Sequence, residues 1–103
     1  MSEHTVVLTL YITGETIRSQ RAVGTIKSLC EELFAPNYTL EIIDVLENPK
    51  LAEEEKIFAT PTLIKKMPPP ARRIIGDLSD RERVLNGLGI ISQSHSIQKG
   101  GTQ

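Results

Sequence analysis

Residues 6–13, VVLTLYIT, are β-branched or apolar at nearly every position, the pattern of a strand buried on both faces. Gly14 ends the run. In TIRSQRAVGTIKSLCEELF the apolar positions Ala22, Ile26, Leu29, Cys30 and Leu33 recur at helical spacing. That predicts a long helix with Thr16 as its N-cap, weakened by about 1 kcal/mol at Gly24 relative to alanine. Pro36 and Asn37 break the chain, and YTLEIIDVL, residues 38–46, reads as a second strand. Strand, helix and strand make a βαβ unit, whose two strands run parallel through a right-handed crossover.

The second half is less regular. Asn48 as N-cap and Pro49 at the first helical position start a short helix that carries Leu51, Ala52 and Ile57 inward and Glu53, Glu54 and Glu55 outward. TPTLIKK reads as a strand with Pro61 confined to its start or to an edge. MPPPA fits neither a regular helix nor a central strand, because three successive prolines remove three donors. RRII is a short apolar strand followed by a turn at Gly76-Asp77, after which Ser79 and Glu82 have the spacing of a capping box. Residues 85–91 stay open between helix and strand: Leu and Ile content favours continuing the helix, while Gly87 and Gly89 each cost it about 1 kcal/mol. The end, residues 93–103, is polar and rich in Gly, Ser and Gln, the composition of a disordered tail. Residues 1–92 then form one domain.

Composition narrows the class. The 103 residues are 39% hydrophobic and 24% charged, an ordinary globular composition, and only 4% aromatic with no Trp, so the core must be aliphatic. A net charge of −1 gives no field for nucleic acid or an anionic membrane. No apolar run is long enough to span a bilayer, and MSEHTVVLTLYITG lacks the basic start of a signal peptide. One cysteine fits a reducing cytoplasm, and the expected location is cytoplasmic.

Candidate chemistry is sparse. The Thr-Pro-Thr-Leu turn at residues 60–63 resembles the turn that thioredoxin-fold enzymes set beside a reactive disulfide. Such a site needs C-x-x-C where the first strand meets the first helix, and that place reads TGETIRS. Cys30 lies instead about four turns into the helix on its apolar stripe, as a core thiol does. A thioredoxin-like oxidoreductase is therefore the remote reading. His4 and His95 lie in the end segments without ligand-spaced neighbours, and no phosphate-binding or nucleophile motif occurs. No catalytic residue, cofactor or metal is expected. Lys56, Lys65, Lys66, Arg72 and Arg73 follow the Glu53–Glu55 run with no acid among them. Two readings of that segregation stand side by side: a solvated face, or a docking surface for an acidic partner. RNA binding is disfavoured because no aromatics interleave the cations.

The text IIDVLENPKLAEEEKIFATPTLIKKMPPPARRIIGDLSDRERVLNGL, residues 42–88, with LTLYITG and RAVGTIKSLCEE upstream, closely resembles the KaiB family of circadian-clock proteins. Its most specific parts are LAEEEKIFATPTL and RRIIGDLSDRE. The resemblance implies an α/β, thioredoxin-like protein with a constant N-terminal βαβ unit and a metamorphic second half. The implied ground state has the order βαββααβ in a homotetramer, a dimer of dimers; the partner-bound monomer has the order βαβαββα. It implies a non-enzymatic regulator that docks onto a KaiC-like hexameric ATPase and controls its phosphorylation and output cycle. In cyanobacteria the family also governs access of a sensor histidine kinase with a KaiB-like domain and captures KaiA.

Carried over by position, Tyr11 on the first strand, Arg21 on the first helix, Lys56, Arg72 and Arg73 fall where the family uses surface groups for partner contact. Gly87 and Gly89 fall in the segment that biases the fold, and Pro61 is read as part of the same switch. Three departures count. Glu41 replaces a basic residue of the second strand and enters the set of partner-facing positions, Gly89 stands where Asp is common, and SQSHSIQKGGTQ replaces an acidic tail. A reversed rim charge changes partner choice. These departures make KaiA the weakest of the implied partners, and they keep open a diverged paralogue in stress adaptation or other signalling.

Overall fold

The computed structural model describes residues 5–90. The expected tail at 93–103, His4 and His95 lie outside these residues. Seven elements follow in the order β1 (Val6–Ile12), α1 (Ile17–Leu33), β2 (Tyr38–Asp44), α2 (Pro49–Glu54), β3 (Thr62–Met67), β4 (Arg72–Ile75) and α3 (Arg81–Gly87). The order is βαβαββα, the thioredoxin-like one of the two implied arrangements. The βαββααβ order expected for the ground state is not the one this structure adopts.

The four strands form one sheet in the order β2-β1-β3-β4. β1 and β2 pair parallel from Val6↔Tyr38 to Ile12↔Asp44, which requires the crossover that α1 provides. β3 runs antiparallel to both β1 and β4. β1 is thus a central strand with helices on both sides, which accounts for its nearly continuous apolar run.

Alternation along the strands divides the molecule into two cores. Val6, Leu8 and Leu10 of β1, Leu63 of β3 and Ile74 of β4 pack with Ala22, Ile26, Leu29 and Cys30 of α1 and Val84 and Leu85 of α3. Leu10 and Leu63 are fully buried, a contribution of roughly 1.5–3 kcal/mol for each such side chain. On the other face Tyr11, Ile43 and Ile64 form a smaller cluster with Val45, Leu51 and Ile57 around α2. Leu33, at the end of the expected α1 stripe, is 39% exposed and closes nothing.

The helix ends refine the sequence reading. Thr16 caps α1 as expected, its hydroxyl accepting from the Ser19 amide at 3.1 Å. Asn48 stands at the N-cap position of α2, but its side chain makes no cap; its amide donates to the Asp44 carbonyl at 3.1 Å instead. The capping box expected at Ser79 does not form. Asp80 is the N-cap of α3 and accepts from the Arg83 amide, because the Ser79 hydroxyl is already engaged with Asp77 Oδ1 at 2.5 Å. Of the open stretch 85–91, the described residues 85–90 resolve as helix through Gly87, closed by Leu88 and by Gly89 at φ +81°. Leu88 N–H reaches the Val84 carbonyl, Gly89 N–H that of Asn86, and Ile90 N–H that of Leu85. The last two bonds, with Gly89 left-handed between them, make a Schellman ending.

Among the described residues no helix is long and apolar enough to cross a membrane.

Candidate docking surface

The C-terminal ends of β1, β2 and β4 and the start of β3 lie at one end of the sheet. Their loops are tied together there. The hydroxyls of Thr13 and Thr60 are hydrogen-bonded to each other across the β1–α1 and α2–β3 loops. Ser19 is buried beneath them, its hydroxyl donating to the Thr13 carbonyl at 3.3 Å and accepting from Thr16 at 3.0 Å. Asp44 Oδ1 accepts from the amides of Gly14 at 3.0 Å and Leu46 at 2.9 Å, fixing the loops after β1 and β2. Thr62 donates its hydroxyl to the Ala59 carbonyl at 2.6 Å, shaping the turn that leads through Pro61, which follows a cis peptide bond and is buried.

The β1–α1 segment at this end is where a redox enzyme of this shape would keep its thiols; it reads TGETIRS, and its Thr13 hydroxyl is bonded to Thr60 of the facing loop. Cys30 is buried in the α1 core, and burial, then the neighbouring Glu31, pushes its thiol up to about 11. It stays protonated at neutral pH and is a poor nucleophile. Among the described residues no group of three or more His, Cys, Asp or Glu side chains could hold a metal ion.

The same end carries exposed apolar side chains. Phe58 is 90% exposed; Ile17, the first residue of α1, and Leu46, on the loop after β2, are both 67% exposed, with Ile75 at the end of β4. None of these four belongs to the set read from sequence. The signal was present in one of them: in a chain so poor in aromatics, Phe58 follows a helix without belonging to its apolar stripe.

The sequence-derived residues fall into separate groups. Lys56 is exposed at φ +57°, just past α2, and Arg73 reaches over to it from β4, donating to the carbonyls of Lys56 at 3.3 Å and Glu55 at 3.0 Å. Beneath them Tyr11 is only 1% exposed. It is a core residue of the α2 face rather than the surface group expected, because odd-numbered β1 positions point to that face. Burial raises its phenol pKa, with Glu55 and Glu41 adding to the shift and Arg73 opposing it. Glu41 is exposed on β2, opposite Thr9 of β1.

Arg72 lies on the other face of the sheet, and a β-carbon at Gly89 would come within 3.0 Å of its guanidinium. Arg21 is exposed on α1 beside a surface cleft of about 470 Å³ that Ile17, Arg18, Asp77, Leu78 and Ser79 also line. The basic run therefore does not make one patch. Period-two alternation sends Arg73 and Arg72 to opposite faces, and Lys65 pairs with Arg72 across β3 and β4.

The KaiB domain family model matches residues 9–90. The chain belongs to the KaiB family. It is 52% identical over 98 residues to circadian clock protein KaiB3 of Synechocystis sp., covering 95% of this chain and 96% of that protein. It is 60% identical over 87 residues to circadian clock oscillator protein KaiB of Microcystis aeruginosa, covering 84% of each. Among solved structures it is similar to the N-terminal domain of Synechococcus elongatus SasA, with a TM-score of 0.70 at 21% identity, covering 100% of this chain and 93% of that one. Chloroplastic thioredoxin z gives a TM-score of 0.68 at 21% identity over 84% of this chain and 78% of its own. These two likenesses establish a thioredoxin-like α/β fold for this KaiB-family chain.

Proposed function

We propose that this KaiB-family protein is a non-enzymatic clock regulator that docks onto a KaiC-like hexameric ATPase and controls its phosphorylation and output cycle. The supporting observation is the functional end of the fold. The β1–α1 segment carries no cysteine, and Phe58, Ile17 and Leu46 present apolar surface to solvent, with the cation of Lys56 two residues before Phe58. Exposed apolar groups rimmed by charge suit association rather than catalysis.

A sensor histidine kinase with a KaiB-like domain competes for the same ATPase surface in this reading, consistent with the shape shared with the SasA domain. The free protein is a cytoplasmic homotetramer, and the βαβαββα arrangement is its partner-binding form. Incubating the purified protein for many hours with the KaiC-like ATPase of the same genome, with ATP or ADP, tests the proposal by size-exclusion chromatography. Co-elution is expected; separate elution in every nucleotide state overturns it.

Glu41 favours a second reading, in which the protein acts in stress adaptation or other signalling and KaiA is not a partner. A deletion strain that loses rhythm but tolerates stress normally excludes this alternative.

A further inference from the structure

Helix α2 ends in a Schellman motif. The Lys56 amide donates to the Glu53 carbonyl at 3.1 Å, and the Ile57 amide reaches back to the Ala52 carbonyl at 2.9 Å. Ile57 and Leu51 both pack against the Tyr11, Ile43 and Ile64 cluster, so the ending is seated on the apolar face beneath α2. The residue between the two bonds must be left-handed, which is why glycine is usual there, as Gly89 is at the end of α3. Here it is Lys56, at φ +57°. Few L-residues adopt that conformation unaided, and outliers of this kind collect at functional sites.

The compensating contact comes from β4. Arg73 spreads its guanidinium over two consecutive carbonyls, Nη2 to Glu55 at 3.0 Å and Nη1 to Lys56 at 3.3 Å. Both carbonyls lie past the last turn of α2, where backbone acceptors lack helical partners and a cation is favoured. A fork of two donors suits arginine and not lysine. The segment so held turns Lys56 outward and leads directly to Phe58, the most exposed of the large apolar side chains.

We infer that Arg73 is a positioning residue: its guanidinium holds the left-handed turn at the end of α2 and so presents Lys56 and Phe58 for docking, rather than itself contacting the partner. The functional half of this inference rests on the proposed docking to a KaiC-like ATPase. The conformational half concerns the monomeric βαβαββα form, separated from the tetramer by size exclusion, and is tested without the partner.

Arg73→Gln, Arg73→Lys, Lys56→Gln and the double variant Arg73→Gln/Lys56→Gln are made in the full chain, with circular dichroism confirming the fold. In the partner-free βαβαββα monomer of Arg73→Gln the amides of Lys56 and Ile57 should exchange hydrogen roughly tenfold faster than in the parent monomer, with those of β1 unchanged. Arg73→Lys, which keeps the charge but loses the fork, should behave the same way. Affinity for the KaiC-like hexamer should fall about five- to tenfold in each Arg73 variant, and the double variant should lose less than the product of the two single losses, because part of the Arg73 effect runs through Lys56. Unchanged exchange at Lys56 and Ile57, full affinity in Arg73→Lys, or losses that multiply in the double variant each overturn the inference. If the parent protein does not bind the hexamer, the docking proposal fails and the exchange result alone decides the positioning role. Should Arg73→Gln fail to fold, the milder Arg73→Lys supplies the same readouts.

Discussion

Ile74 fills the space that a side chain at Gly87 would need. A β-carbon at Gly87 would lie 2.6 Å from Ile74 Cγ1 and 2.7 Å from its Cδ1, so α3 meets β4 at a point where one partner has no side chain. A large residue at Gly87 must displace Ile74, a buried member of the main core. Gly87→Leu should destabilise this fold by about 1–3 kcal/mol in a denaturant titration. Adding Ile74→Ala should recover part of that loss, because the new side chain enters the vacated space. Strict additivity of the two changes would show that they do not share one site.

Gly89 gives the opposite lesson from its helix propensity. The sequence suggests that alanine at Gly89 would favour whichever fold makes residues 85–91 helical. In this structure α3 stops before Gly89, whose φ of +81° and closeness to Arg72 both oppose a side chain. Gly89→Ala should therefore cost this fold about 1 kcal/mol, and Gly89→Asn less, since asparagine tolerates the left-handed region. Increased thermal stability of Gly89→Ala, with the βαβαββα order retained, would contradict this.

Lys56 should show a trade between stability and binding. Replacing it by glycine relieves the left-handed backbone and should stabilise the protein by about 1 kcal/mol, seen as a higher denaturation midpoint. The same change removes the exposed cation, so affinity for the ATPase should fall. A variant that is both more stable and tighter-binding would rule out a docking role for this side chain.

The Cys30 thiol predicts a pH dependence with a definite sign. Its folded pKa is raised to about 11 from an ordinary value of 9.0, so above the latter the unfolded chain holds fewer protons than the folded one. The stability this group contributes is complete below about pH 9 and is lost as pH rises through 11. Cys30→Ala should flatten that alkaline decline. A thiol reagent at pH 7.5 should label the folded parent far more slowly than the urea-unfolded chain; equal rates would place the thiol outside the core.

The βαβ half could be read from sequence because its signals are local: β-branched residues in β1, four buried stripe positions on α1, and a cap at Thr16. At the end of α1 the inward place is taken by Phe34, which packs against the main core, and Leu33 is left 39% exposed. In the second half the decisive facts are non-local. The cap of α3 is the local exception: Asp77, two residues before Ser79, takes its hydroxyl and leaves the cap to Asp80, a competition the capping-box spacing alone does not register. Nothing near Tyr11 shows that α2 will cover it, and the run from Lys56 to Arg73 looks continuous until strand alternation divides it. The exposed end of the sheet escaped sequence reading for a related reason: Ile17, Leu46 and Phe58 are separated along the chain and come to one end only through the pairing of β1 with β2 and β3.

The hydrogen-bonded pair of Thr13 and Thr60 has a consequence for how the protein is used. A disulfide at that end would make engagement of the surface depend on electron supply and on the oxidation state of the compartment. Two hydroxyls exchange no electrons, so contacts made there form and dissolve by mass action alone. Occupancy then follows the amounts and conformations of the interacting proteins, and an oxidising or reducing shift in the surroundings passes this surface unnoticed.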